Sequence, residues 1–172
     1  MADRRLTGVL LVGGASERFG SPKALARFRG ETLAERGWRL LGEACDEVLA
    51  VGKAGDLDLP FPVTDDGTAA RAPVFGVLAG LRAAQHERCV MLPVDCPLVT
   101  PELLRALGAA TAVPPSGPLP GGYAKGMIPA LEERIARNEL TLRGLGQSLL
   151  AVADALLADV DTPEDLERLE DL

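Results

Sequence analysis

Residues Leu6–Lys23 read LTGVLLVGGASERFGSPK, and this stretch indicates both the fold and the chemistry of the protein. The apolar run Val9–Val12 is too short for an amphipathic helix and predicts a buried strand. The pair Gly13–Gly14 follows directly, and glycine permits positive φ and a close approach of the backbone to a ligand. The polar loop beyond it supplies Arg18 and Lys23. A strand, a glycine turn and two cations together predict a loop that binds a polyphosphate.

The loop matches neither of two common phosphate-binding motifs. A Walker A motif requires Gly-Lys-Ser/Thr in succession, whereas Ser21 and Pro22 separate Gly20 from Lys23. The dinucleotide motif G-x-G-x-x-G requires a different glycine spacing. The alternative interpretation is a strand-to-helix turn in which the glycines serve packing only. The cations that follow the glycines favour phosphate binding over that alternative.

The composition is that of a soluble globular protein, and 172 residues predict one domain over residues 1–172. A net charge of −7 disfavours partners such as nucleic acid or an anionic membrane. We find neither an apolar run of the roughly 18 residues that span a membrane nor a signal-peptide core. The three cysteines lack C-x-x-C spacing, which predicts free thiols in the cytoplasm. His86, the single histidine, lies in a polar stretch and is not expected to be catalytic.

Strand-like apolar runs alternate with helical stretches along the chain, which predicts an α/β fold of three layers, α/β/α, with a mostly parallel sheet covered on both faces. The predicted strands after the first are Glu47–Gly52, Arg88–Val94 and Thr111–Val113, and the proline-containing stretch Leu59–Thr64 leads into a further short strand. The predicted helices are Leu33–Ala44, Gly76–Ala84, Pro101–Leu107 and Met127–Arg137.

Asp95 directly follows the predicted buried strand Arg88–Val94 and precedes Pro97 by two residues. Ligands of open α/β sheets bind at the carboxyl ends of the strands, so Asp95 is expected at the ligand edge. One interpretation is that Asp95 caps its own turn. The other is a Mg²⁺ ligand, because hard cations bind carboxylate and phosphate oxygens together.

The segment Asp159–Asp165 reads DVDTPED and predicts the start of a helix. Thr162 suits the N-cap, Pro163 suits the first helical position, and Asp165 completes an arrangement close to a capping box. These roles account for the segment except for Asp161, which we expect to end a strand beside the helix.

A third polar segment carries Asp65 and Asp66 on a loop, where a carboxylate pair is usually only solvated. The helix predicted to begin at Gly76 would offer free N–H groups and the positive end of its dipole to a nucleotide.

Residues 11–25, LVGGASERFGSPKAL, resemble the signature loop of sugar-nucleotide-type nucleotidyltransferases, L-[AV]-[AG]-G-x-S-x-R-[MF]-G-x-x-K-x-L. The Gly-Gly form is most similar to the molybdenum cofactor guanylyltransferases. Pro118–Tyr123 resembles the P-L-x-x-x-Y element that lines their acceptor side, and Glu139–Arg143 resembles the [ES]-L-R helix start that follows it. The resemblance extends from Leu6 to about Leu169 and implies a Rossmann-like nucleotidyltransferase fold.

The resemblance also implies roles for individual residues. The D-x-P element places Asp95 on the metal, and the [DN]-[TI]-P-E-[DE] element adds Asp161 as the second Mg²⁺ ligand. Lys23 would stabilise charge on the α- and β-phosphates, Arg18 would hold the departing phosphates, and Asp95 completes the catalytic set. The implied nucleotide-binding residues are Leu11, Val12, Gly13, Gly14, Ala15, Lys23, Asp65, Gly76, Gly80 and Asp95.

The function implied by the resemblance is Mg²⁺-dependent transfer of GMP from GTP to the phosphate of molybdopterin, with release of pyrophosphate. The product would then go to molybdoenzymes or their chaperones. Asp161 stands where cytidylyltransferase relatives commonly have Asp. The first alternative is therefore a related nucleotidyltransferase that uses CTP or a sugar- or alcohol-phosphate acceptor. A non-catalytic nucleotide-binding protein of the same fold is the second alternative.

Overall fold

A mostly parallel sheet built around the first apolar segment organises the protein. The structure is a computed structural model, and it describes residues 3–13 and 19–172. The strands in these ranges are β1 (Leu6–Leu11), β2 (Arg27–Phe28), β3 (Glu31–Thr32), β4 (Glu47–Gly52), β5 (Thr64–Asp65), β6 (Arg88–Pro93), β7 (Ala112–Val113), β8 (Gly121–Ala124) and β9 (Ser148–Leu149). The α-helices in these ranges are α1 (Leu33–Ala44), α2 (Pro73–Ala83), α3 (Pro101–Ala110), α4 (Ile128–Ala136) and α5 (Pro163–Glu170).

Five of the described strands form the central sheet in the order β5-β4-β1-β6-β8. Strand β1 pairs in parallel with β4 on one side and β6 on the other, and β5 continues the parallel arrangement beside β4. Strand β8 runs antiparallel to β6 and forms the far edge. The shorter strands form two separate pairs, β2-β3 and β7-β9. The predicted α/β class with a mostly parallel sheet is confirmed.

Helices cover both faces of this sheet because successive residues of a buried strand point to opposite faces. Leu10 packs into a cluster with Leu41 of α1 and Leu104 of α3. Its neighbour Val9 packs into the opposite cluster with Leu78 of α2. Because β1, β4 and β6 are parallel, their carboxyl ends lie together at one edge of the sheet, between these two apolar layers.

A third, smaller apolar cluster lies outside these two layers. Its buried members are Phe28, Leu33, Val160 and Leu169. Partly buried residues that pack against it are Phe19, Ala26, Val94, Leu98, Ala158 and Leu166. The third cluster thus joins three parts of the chain: the residues around Lys23, the loop after β6 and the segment before α5. These three parts carry the predicted site residues Lys23, Asp95 and Asp161.

Several predicted boundaries agree with the structure, and others need correction. The helix Leu33–Ala44 and the strand Glu47–Gly52 are observed with the predicted ends. The helix predicted to begin at Gly76 begins instead at Pro73, because proline suits the first helical position and Ala72 supplies the extended N-cap.

The predicted strand ending at Asp161 is wrong: in the described part of the chain, no strand covers residues 159–161. The segment crosses the loop after β6 instead, where the N–H of Val160 donates to the carbonyl of Asp95 at 2.9 Å. The predicted capping box at the start of α5 is confirmed, with Thr162 and Asp165 bonding each other reciprocally. Within the described ranges, no helix is long and apolar enough to cross a bilayer.

Candidate active site

A cleft of about 270 Å³ opens at the carboxyl ends of β1, β4 and β6. This position is the edge at which α/β sheets of this kind bind ligands. Its lining residues are Leu11, Val12, Gly13, Lys23, Val51, Gly52, Lys53, Asp66, Arg71, Ala72, Pro73, Gly76, Pro93, Val94, Asp95 and Leu119.

The glycine turn after β1 lies against the end of β4. A Cβ atom on Gly13 would lie 3.2 Å from the Cα atom of Gly52, so the two chain segments approach more closely than larger residues readily allow. Of the predicted nucleotide-binding loop, Leu11, Val12 and Gly13 line the cleft. The remaining predicted residues of this loop, Gly14, Ala15 and Arg18, lie outside the described residues.

Lys23 brings two distant carboxylates together at the cleft. Its Nζ atom lies 3.4 Å from Oδ2 of Asp95 and 3.4 Å from Oδ1 of Asp161. The lysine side chain is only 14% exposed, which strengthens its electrostatic interactions relative to those of a surface cation. The three residues singled out from separate motifs therefore form one charged cluster.

Asp159 joins this cluster and was not among the predicted site residues. Carboxylate oxygens of Asp95, Asp159 and Asp161 lie within 4.8 Å of one another. The hydrogen bond from Val160 to the Asp95 carbonyl holds the segment so that both of its aspartates lie near Asp95. The sequence offers only the alternation Asp-Val-Asp as a signal for Asp159, and the burial of Val160 that gives this signal its meaning is known from the structure.

Burial raises the pKa of Asp95 above its ordinary value, and the positive charge of Lys23 opposes this effect. The Sγ atom of Cys96 lies 3.7 Å from Oδ1 of the same carboxylate. Three carboxylates without a sulfur or imidazole ligand among them form a donor set that suits a hard divalent cation such as Mg²⁺. The chemistry of these residues therefore fits the metal that the family resemblance implies.

Lys53 organises the loop on the opposite wall of the cleft. Its ammonium group donates to both carboxylate oxygens of Asp66 at 2.7 Å and to the carbonyls of Thr68 and Ala70 at 2.5 and 2.8 Å. Both side chains are largely buried, with 15% of Lys53 and 8% of Asp66 exposed. This ion pair fixes the loop after β5 against the end of β4.

Asp65, the predicted nucleotide-binding residue, and its neighbour Asp66 differ in their position relative to the cleft. Among the described residues that line the cleft, Asp66 is present and Asp65 is not. The Asp65 carboxylate accepts hydrogen bonds from the N–H groups of Gly67 and Ala54, which lower its pKa. The side chain of Asp65 thus stabilises the turn, and its neighbour lies at the cleft.

The two glycines of α2 also have different positions. Gly76 lines the cleft, where an added Cβ atom would lie 3.1 Å from Cδ2 of Leu11. Gly80 is buried one turn further along, and an added Cβ would lie 2.8 Å from Cγ1 of Val9. The structure therefore gives Gly80 a packing contact between helix and sheet, and Gly80 is not among the residues that line the cleft.

The segments expected on the acceptor side lie next to each other. Leu119 lines the cleft, and the hydroxyl group of the buried Tyr123 donates to the carbonyl of Pro118 at 2.8 Å. Arg134 of α4 donates to the carbonyls of Thr141, Arg143 and Gly144 at 2.7–3.0 Å. The helix start expected at Glu139–Arg143 is not observed, because Arg134 holds this segment in a non-helical conformation.

An α/β sheet with a cleft, a lysine and clustered carboxylates at its ligand edge is the arrangement expected of a nucleotidyltransferase. Comparison with known proteins agrees: the profile of the MobA-like NTP transferase domain matches residues 8–151. The chain belongs to this family and is a nucleotidyltransferase.

The similarity to individual relatives extends over nearly the whole chain. A probable molybdenum cofactor guanylyltransferase of Pelotomaculum thermopropionicum is 33% identical over 94% of this chain and 90% of its own length. A molybdenum cofactor guanylyltransferase of Pseudomonas putida is 29% identical over 92% of this chain and 94% of its own length.

Solved structures share the fold. Molybdopterin-guanine dinucleotide biosynthesis protein A from Archaeoglobus fulgidus superposes with a TM-score of 0.76 at 21% identity, covering 96% of this chain and 97% of the other. A cytidylyltransferase from Thermus thermophilus, specific by its name for 2-C-methyl-D-erythritol 4-phosphate, has a TM-score of 0.71 at 22% identity, covering 95% and 96%.

Proposed function

We propose that this protein transfers GMP from GTP to the phosphate of molybdopterin and releases pyrophosphate. The names of its relatives, which describe guanylyl transfer to the molybdenum cofactor, support this choice of donor and acceptor. The structural observation that carries the proposal is the position of Lys23, 3.4 Å from both Asp95 and Asp161 beside the cleft.

The reaction requires the alignment of two anions. An oxygen of the acceptor phosphate forms a bond to the α-phosphorus of GTP, and the bond from that phosphorus to the bridging β-oxygen breaks. A phosphate monoester has lost most of its second proton at neutral pH, since that pKa is about 6, so no general base is needed. Neutralising charge and holding both reactants in line are the main contributions required of the protein.

The residues of the cleft can supply these contributions. Lys23 would neutralise charge on the α- and β-phosphates, and we expect Arg18 to hold the departing pyrophosphate. The backbone of Leu11–Gly13 and the wall near Gly76 would position the nucleoside. Asp66, which Lys53 holds beside the cleft, would accept a hydrogen bond from the base or ribose, the role first expected of Asp65.

Asp95, Asp159 and Asp161 would hold the Mg²⁺ ion. A divalent cation bound there supplies Lewis-acid stabilisation of charge on the phosphates. Lys23 and the cation would then both neutralise the charge of these carboxylates.

Pyrophosphate release from GTP on addition of molybdopterin tests the proposal. The assay contains Mg²⁺, and parallel reactions replace GTP with CTP or molybdopterin with a sugar or alcohol phosphate. We expect turnover with GTP and molybdopterin, and thermal stabilisation by GTP exceeding that by CTP. Turnover with CTP alone would identify the first alternative, and nucleotide binding without turnover would identify the second.

We also propose that the reaction takes place in the cytoplasm, and that the product passes to molybdoenzymes or their chaperones. The unpaired thiols of Cys45, Cys89 and Cys96 support a reducing compartment. Cell fractionation tests the location. Transfer of labelled product to an apo-molybdoenzyme, with and without its chaperone, tests delivery.

A further inference from the structure

The Phe28 ring is fully buried, and two guanidinium groups lie close to it. The Cζ atom of Arg29 is 4.9 Å from the ring centroid, and that of Arg36 is 5.0 Å from it. Both distances fall within the range of cation–π attraction, which is stronger where the charge is desolvated. The hairpin β2-β3 is thereby attached to α1.

Arg36 makes further contacts with the chain around the candidate active site. Its side chain is only 14% exposed. Its Nε atom donates to the carbonyl of Pro97 at 2.6 Å, and its Nη1 atom donates to Oε1 of Glu31 at 3.2 Å. Pro97 lies two residues after Asp95, so Arg36 holds the loop that presents this carboxylate.

Phe28 connects the same guanidinium to the other carboxylates. The ring belongs to the third cluster together with Val160, which stands between Asp159 and Asp161. The side chain of Arg29 donates to the carbonyl of Leu169 in α5 at 3.4 Å. Ala26, which also packs against the third cluster, lies three residues after Lys23.

We propose that Arg36 is a positioning residue of the transfer site, which sets the relative placement of Lys23 and the carboxylates of Asp95, Asp159 and Asp161. It acts through the Pro97 carbonyl and the Phe28 ring, without touching substrate. The proposal rests on the proposed function, because the carboxylates are assigned there to the metal.

Arginine is suited to this position for a geometric reason. A planar guanidinium can stack on a ring with its face while its edge donates in-plane hydrogen bonds to a carbonyl and a carboxylate. A lysine ammonium can reach one of these partners but cannot present a planar face to the ring. Substitution by lysine therefore retains the positive charge but loses the combination of stacking on the ring and in-plane hydrogen bonds.

The test compares Arg36→Lys and Arg36→Met with three reference variants. Arg39→Met is the matched control, since Arg39 contacts the same Glu31 from the same helix but is 46% exposed. Leu131→Ala controls for general destabilisation, because it removes buried volume from the opposite face of the sheet. Asp95→Asn reports loss of the metal site itself. Binding of Mn²⁺ alone is measured by electron paramagnetic resonance, at a temperature where circular dichroism shows each variant folded.

Arg36→Met is expected to weaken Mn²⁺ binding about tenfold and to lower kcat at least tenfold, with the KM for nucleotide changed less than threefold. Arg36→Lys is expected to recover less than half of the lost affinity on a logarithmic scale. Arg39→Met and Leu131→Ala are expected to keep Mn²⁺ affinity and kcat within twofold of wild type.

Wild-type Mn²⁺ affinity in folded Arg36→Met overturns the positioning role, and so does full rescue by Arg36→Lys. If Arg36→Met does not fold, Arg36→Lys decides the question by the same criterion. An equal loss in Leu131→Ala also overturns the proposal, because the effect would then follow stability alone. Absence of Mn²⁺ binding in the wild type, or unchanged binding in Asp95→Asn, would instead refute the metal site on which the proposed function depends.

Discussion

The backbone N–H of Val160 donates a 2.9 Å hydrogen bond to the backbone carbonyl of Asp95. This bond joins the loop after β6 to the segment before α5. Because Val160 is buried in the third cluster, the aspartates on either side of it lie near Asp95. Lys23 contacts two of these carboxylates from a third segment of the chain.

Lys23→Ala should lower the rate of nucleotidyl transfer about 100-fold or more, which corresponds to about 3 kcal/mol for a lost electrostatic contact in the transition state. The ammonium group of Lys23 lies 3.4 Å from a carboxylate oxygen of Asp95 and 3.4 Å from one of Asp161, beside the cleft. Steady-state kinetics of pyrophosphate release measures the effect. Arg137→Ala, which removes an exposed cation from the end of α4, is the control and should keep wild-type kinetics. Unimpaired turnover of Lys23→Ala would refute the assignment.

Asp159→Asn should weaken binding of Mg²⁺ or Mn²⁺ about tenfold, because the affinity of such sites depends on the number of charged ligands. The change keeps the side-chain shape and removes one charge from the cluster. Isothermal titration with Mn²⁺ measures the affinity. Asp154→Asn removes another exposed carboxylate upstream and should have no effect. Equal affinities of the two variants would show that Asp159 is only solvated.

Asp95→Asn should melt at a higher temperature than wild type in metal-free buffer at pH 7, although it loses transfer activity. Burial raises the pKa of Asp95 above the ordinary 3.8, so the folded state favours the protonated form. Below pH 3.8 the protonated Asp95 side chain makes its full contribution to the free energy of unfolding. That contribution is lost as the pH rises through the raised pKa of Asp95 in the folded state. Asparagine avoids that loss.

Thermal melts in EDTA at several pH values measure this difference. The advantage of Asp95→Asn should decrease as the pH falls and vanish below pH 3.8, where the carboxyl group is protonated in both states. A variant less stable than wild type at pH 7 would show that attraction to Lys23 outweighs the cost of burial.

Gly80→Ala should destabilise the fold by about 1–3 kcal/mol, because its methyl group would meet Val9 at 2.8 Å and force α2 away from the sheet. Urea denaturation measures the free energy of unfolding. Gly42→Ala is the matched control in α1, where no atom lies within 4 Å of the added Cβ. Alanine should stabilise that helix by about 0.5–1 kcal/mol.

The same variant separates a packing role from nucleotide binding. Folded Gly80→Ala should keep the KM for nucleotide within about threefold of wild type. Loss of a nucleotide contact worth about 1.4 kcal/mol would instead raise the KM about tenfold. A large rise in KM without destabilisation would restore the nucleotide contact first expected from the sequence.

Much of the fold could be predicted from local patterns. The helix Leu33–Ala44 is predicted with its observed ends because its amphipathic spacing is clear, and the structure adds a capping box between Thr32 and Glu35 at its start. The strand Glu47–Gly52 has equally clear limits. The start of α2 was misplaced at Gly76 because glycine suggested a turn, whereas Pro73 begins the helix and Gly76 accommodates the neighbouring Leu11 side chain.

The candidate site was predicted only in part. Lys23, Asp95 and Asp161 stand out because cations and carboxylates after strands or turns suit phosphate and metal chemistry. Asp159 was missed because its exposed carboxylate resembles any solvated side chain until Val160 is known to be buried. Likewise, neighbouring residues in an extended segment point to opposite sides, so the choice between Asp65 and Asp66 required the path of the backbone.

The sequence by itself determined the α/β class, the order of the main strands and helices, and the residue types available for phosphate and metal binding. These properties follow from periodicity, capping and chemistry, which act over a few residues. The tertiary structure decided which charged groups meet, which aspartate faces the cleft, and that Arg36 supports the loop after Asp95. Such contacts join segments far apart in the chain, and packing of the three apolar clusters brings them together.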